Sequence, residues 1–153
     1  MRRVDQWLCE YGESHRNAAN KRLHWVCVPV IVWCVIALLW SAPTVSGWPE
    51  FVNWGALAVA AALVYYARLS VPLALGAVPL LLAMLMSVAA IDRSAIGPVW
   101  RVGAVLFVAA WVGQFIGHRI EGKRPSFFKD VQFLLIGPLW LLADLFRRLK
   151  IRF

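Results

Sequence analysis

LHWVCVPVIVWCVIALLW, residues 23–40, decides the fold. Its eighteen residues include no lysine, arginine, aspartate or glutamate. As an α-helix the stretch is about 27 Å long, close to the ~30 Å of hydrocarbon in a bilayer. Backbone groups in lipid must be satisfied within the chain, and the strict alternation of a barrel strand is missing, so a helix is expected. The stretch ends at Ser41-Ala42-Pro43, and similar apolar stretches follow at about 51–67, 71–91 (carrying Pro72 and Pro79) and 99–117. The sequence therefore predicts an all-α integral membrane protein: a compact bundle of four transmembrane helices forming one domain over residues 1–153.

A fifth apolar stretch, about 131–146, is interrupted at Gly137-Pro138. Arg119, Lys123, Arg124 and Lys129 precede it, and Arg147, Arg148, Lys150 and Arg152 follow it. A crossing would leave one basic flank on the wrong side of the membrane. The expectation is a C-terminal re-entrant or interfacial segment broken at Gly137-Pro138, with a tilted fifth span as the alternative.

Composition agrees with a lipid environment. Hydrophobic residues make up 61% of the chain and charged residues 16%, against about a quarter charged in soluble domains. Nine tryptophans and eight phenylalanines fit a protein that meets bilayer interfaces. The net charge of +8 comes from residues that flank apolar runs rather than line a groove, so an anionic membrane surface fits and nucleic acid does not. Arg2, Arg3, Arg16, Lys21 and Arg22 precede the first span, whereas the loop 43–50 has no lysine or arginine. Four crossings then put both termini in the cytoplasm, in a bacterial inner membrane or the endoplasmic reticulum. The first apolar stretch is long enough to stay as an anchor rather than serve as a cleaved leader. Cys9, Cys27 and Cys34 have no paired spacing and read as small hydrophobes. Oligomer formation is neither required nor argued against.

All three histidines fall on one side of this topology. His15 precedes the first span, His24 lies at its start and His118 at the end of the fourth. Gln114, His118 and Glu121 share one helical stripe, as do Asn20 and His24. His15 and His24 are nine apart and would point opposite ways on one unbroken helix, so a shared ion requires a bend, which the run Arg16–Asn20 allows. Neutral imidazole is a ligand for iron, zinc or copper. Interfacial histidines with wet tips, and a Glu121 paired with Arg119, Lys123 or Arg124, are the simpler alternative. Asp144 is costly in an apolar stretch unless paired, and Arg147 and Arg148 are within reach. No phosphate-binding glycine loop, nucleophile elbow or HExxH is present, and the spans lack the mid-membrane carboxylates of a coupled transporter.

Tyr11-x3-His15-x4-Asn20-x3-His24-x4-Pro29, then Trp111-x2-Gln114-x2-Gly117-His118-x2-Glu121-x3-Pro125, resembles the 2-hydroxy fatty acid dioxygenase family, which acts in the metabolism of phytosphingosine to odd-numbered fatty acids. Gly137-Pro138-Leu139 with Asp144 resembles that family's C-terminal block. The chain departs from the pattern at Gly12, where a histidine usually follows the tyrosine, and at Cys27, where a glycine is usual. The resemblance implies an iron(II)-dependent enzyme that shortens a 2-hydroxy fatty acid by one carbon in α-oxidation, with dioxygen as co-substrate. It assigns His15, His24 and His118 as iron ligands and Glu121 as a fourth ligand or an acceptor behind one of them. Asn20 and Gln114 become orienting residues, and Arg16, Lys21, Arg22, Lys123 and Arg124 an attraction for the carboxylate of the fatty acid. The alternatives are a different metal-dependent lipid enzyme or a non-enzymatic membrane scaffold that binds lipid. Histidine-box hydroxylases usually have eight or more histidines, which three cannot match.

Overall fold

The structure, a computed structural model, describes residues 4–49, 52–122 and 127–153, without the side chains of 127–132. Its described residues form six helices and no strand: α1 (Val4–Gly12), α2 (Ala18–Trp40), α3 (Trp54–Leu69), α4 (Val71–Asp92), α5 (Val99–Glu121) and α6 (Phe127–Arg148). Helices α2, α4 and α5 are long and apolar enough to cross a membrane. Helix α3 is apolar but has only 16 residues, about 24 Å of helix.

Helix α2 is central and packs against α3, α4, α5 and α6. Its most extensive partner is α5. Along α2 the buried positions Asn20, His24, Cys27, Ile31 and Cys34 recur at spacings of four and three residues, facing Gly103, Ala110, Gln114 and Gly117 of α5. Small residues let the two backbones approach. A Cβ on Gly113 would lie 2.6 Å from Cys27 Sγ, and one on Gly117 would collide with Asn20 Oδ1. In lipid, where no hydrophobic effect drives helices together, such close packing supplies the attraction. Two indoles tie α2 to α4 in parallel: Trp33 donates to Ser87 at 2.8 Å and Trp40 to Asp92 at 3.1 Å. Cys27 and Cys34 are buried as expected, whereas Cys9 is exposed on α1.

The C-terminal stretch differs from its expected form. Helix α6 continues through Gly137-Pro138 without a break. A proline removes one backbone donor and crowds the preceding turn, and α2 and α4 also continue through Pro29 and Pro79. What holds α6 is enclosure: Ile136 and Leu139–Ala143 are buried, with α1, α2 and α4 packed around it. Asp144 forms the expected local pair, receiving Arg148 at 2.9 Å.

Candidate metal centre

The bend required between His15 and His24 lies at residues 13–17. Helix α1 ends at Gly12, and the His15 N–H donates to the Gly12 carbonyl at 3.1 Å, closing a tight turn. Asn17 then caps α2, its side chain accepting from the Ala19 N–H at 2.8 Å. This places His15 on a connection instead of a helix and turns its ring towards α2 and α5. Its ring centroid lies 4.2 Å from that of His24 and 5.5 Å from that of His118, with 5.2 Å between the last two. Each histidine offers one ring nitrogen, and the three nitrogens lie within 4.8 Å of one another. His15 and His24 are 3% and 1% exposed.

The hydrogen bonds fix which nitrogens face inward. Nδ1 of His15 donates to the Tyr11 carbonyl at 2.6 Å, and Nδ1 of His24 to the Asn20 carbonyl at 3.0 Å, an assignment that follows from each partner being an acceptor. Both rings then carry their proton on Nδ1 and keep the Nε2 lone pair for a ligand, with a backbone carbonyl orienting each ring. Nε2 of His15 is buried and has no hydrogen-bond partner. A buried acceptor left unmade costs about 1–3 kcal/mol, and a metal ion would remove that cost. Burial pushes the His15 imidazole down to about 4, with the nearby His118 acting in the same direction, so the ring is neutral at physiological pH. Three imidazole nitrogens this close together fit a divalent transition metal such as iron(II).

Glu121 is at the same place with a different task. One carboxylate oxygen accepts the Arg16 N–H at 2.8 Å; the other accepts the Asn17 N–H at 2.9 Å and the Asn20 side-chain amide at 3.0 Å. The carboxylate therefore holds the His15 turn and the start of α2 against the end of α5, and negative charge at a helix N-terminus is favourable. The cluster with metal-ligand spacing consists of the three histidines without Glu121. Asn20, 0% exposed, also donates to the Ser14 carbonyl at 3.1 Å, so one side chain joins the turn, α2 and α5. Gln114 is buried in the α2–α5 seam one turn before His118. Arg16, Lys21 and Arg22 are exposed beside the turn; Lys123 and Arg124 lie outside the described residues.

Three contributors had no assigned role in the sequence reading. Tyr11 stacks on His15 with centroids 4.2 Å apart and planes 7° from parallel. Trp140 of α6 packs against both rings, 5.4 Å from each. Gly117 leaves the space that Asn20 occupies. The Tyr11–His15 spacing of four and the Gly113-x3-Gly117 pair were signals for two of these; nothing local marks Trp140.

Comparison with known families identifies the chain's family. The family model described as "Mpo1-like: 2-hydroxy-palmitic acid dioxygenase Mpo1-like" matches residues 1–149. No curated protein and no solved structure matches the chain.

Proposed function

The chain belongs to the Mpo1-like 2-hydroxy-palmitic acid dioxygenase family, and from that premise we propose that it is an iron(II)-dependent membrane dioxygenase that shortens 2-hydroxy fatty acids by one carbon. The observation that carries the proposal is the convergence of His15, His24 and His118 from three separate segments, with ligand nitrogens within 4.8 Å. These three residues would hold the iron. Iron(II), when bound, supplies open positions at which dioxygen and a 2-hydroxy carboxylate can be brought together and activated.

The chain's own residues perform the rest. The Tyr11 and Asn20 carbonyls keep His15 and His24 in the tautomer that exposes Nε2. Glu121 fixes the turn on which His15 stands. Arg16, Lys21 and Arg22 draw the anionic head group to this end of the bundle, each worth about 1 kcal/mol near an anionic surface. Gln114 and Asn20 orient the substrate or the ligands. With α3 as a short fourth crossing, both termini and the metal centre lie at the cytoplasmic face, and the substrate's acyl chain stays in the bilayer.

The test is anaerobic purification, reconstitution with iron(II), metal analysis, and oxygen uptake on adding a 2-hydroxy fatty acid. The proposal expects close to one iron per chain and uptake that depends on the 2-hydroxyl. Protein that cannot retain iron and consumes no oxygen would leave the non-enzymatic scaffold as the better reading.

A further inference from the structure

A cavity of about 230 Å³ lies between α2, α3, α4 and α6. Its walls include Val28 and Pro29 of α2, Tyr66 of α3, Ala77 and Leu81 of α4, and Leu142 of α6. These side chains are apolar apart from the Tyr66 phenol. Val28, Tyr66, Ala77, Leu81 and Leu142 are buried, whereas Leu80 and Leu145 on the rim are 51% and 37% exposed. The mouth therefore opens on the outer surface of the bundle, where Leu80 belongs to α4, a helix long and apolar enough to cross a membrane.

The cavity and the histidines share a thin wall. Pro138 and Leu139 line the cavity, while Trp140, the next residue, packs against His15. At Gly137 a Cβ would lie 3.0 Å from the Tyr11 hydroxyl and 3.4 Å from Val28 Cγ1. Tyr11 stacks on His15 and Val28 faces the cavity, and the two fill the space over Gly137, so the wall is about one aromatic ring thick. At the α2 side of the cavity, the Trp25 ring is covered by the Arg148 guanidinium at 5.7 Å, which is itself paired with Asp144.

We propose that this cavity takes the acyl chain of the free long-chain 2-hydroxy acid, with its head group directed past the Tyr11 ring towards the histidines. The proposal rests on the functional reading above for the identity of the head group. It commits to the free acid because the cavity opens on the outer surface of the bundle and shares its inner wall with the histidine cluster; a structural lipid would need no such approach. Chain length is then read by α4 and α6 and not by the metal site.

The test uses iron-loaded full-length protein in nanodiscs, a sixteen-carbon and an eight-carbon 2-hydroxy acid in competition, and the variants Ala77→Phe, Leu81→Trp and Leu80→Trp. Each methylene displaced from an apolar site costs about fourfold in binding. The expected result is a fall of about tenfold or more in the kcat/KM ratio of long to short acid, with iron content retained. Should the buried variants fail to fold, Leu80→Trp at the exposed rim carries the comparison. Val105→Trp, at a 70% exposed position on α5, is expected to leave the ratio unchanged. A sixteen-carbon 2-hydroxy acid with a terminal diazirine provides a readout independent of turnover and should crosslink to the cavity-lining parts of α4 and α6. An unchanged ratio, or crosslinks spread equally over the α5 outer face, overturns the proposal. Wild-type protein that crosslinks in the cavity but oxidises no 2-hydroxy acid supports the binding site and overturns the dioxygenase reading alone.

Discussion

Glu121, the last residue of α5, accepts the backbone N–H of Arg16 at 2.8 Å across 105 residues of chain. This bond and its neighbour to Asn17 bring the turn that carries His15 to the helix that carries His118. Glu121 consequently shapes the histidine cluster without being one of its three members.

Replacing Glu121 tests that division of labour. Glu121→Ala is expected to weaken iron binding by about 10- to 100-fold, the usual effect of losing a group that positions a ligand. Glu121→Gln should recover part of it, since the amide still offers one acceptor oxygen. Iron titration of the two variants decides: equal, wild-type affinity in both would remove Glu121 from the centre.

The histidines should behave differently. His15→Ala, His24→Ala and His118→Ala each remove one of three donors, so each is expected to lose more than about 100-fold in iron affinity, together with oxygen uptake. Metal analysis after anaerobic loading checks this; full iron retention in any one variant would exclude that residue as a ligand.

Gly117→Ala probes the close approach of α2 and α5. The added methyl would collide with Asn20 Oδ1, which is fixed by the bonds Asn20 makes to Ser14 and Glu121. Overpacking of this kind costs about 1–3 kcal/mol. A lower unfolding temperature in detergent, accompanied by weaker iron binding, is the expected result.

The metal-free protein should lose stability on mild acidification. His15 titrates near 4 when folded, below its ordinary 6.5, because burial disfavours the charged ring. Between those values the unfolded chain binds the proton and the folded chain does not. The contribution is therefore complete above pH 6.5 and is lost as pH falls towards 4, at up to about 1.4 kcal/mol per pH unit. Thermal unfolding of apo wild type and His15→Gln over that range should show the steeper fall in wild type.

Cys9 offers a native test of orientation. It is exposed while Cys27 and Cys34 are buried. A membrane-impermeant maleimide should label Cys9 in inverted vesicles or opened cells but not in intact cells, and a cysteine introduced at Arg152 should label from the same side. Labelling from opposite sides would mean that the membrane is crossed an odd number of times between them.

The sequence by itself determined the helical class, the order of the apolar stretches along the chain, and the gathering of three histidines at one end. These follow from hydropathy and from a 3.6-residue period, which are properties of neighbours along the chain. It also required a bend between His15 and His24, because nine residues on one helix place them on opposite faces. Only the tertiary structure decided how that bend is held, why α6 remains whole at Pro138, and that Trp140 completes the surroundings of His15. Each of these depends on contacts between segments distant in sequence: a carboxylate bonded to a turn over 100 residues away, and a proline-containing helix enclosed by three others. Pattern along the chain reports which face of a helix is apolar, but not which neighbour will cover it.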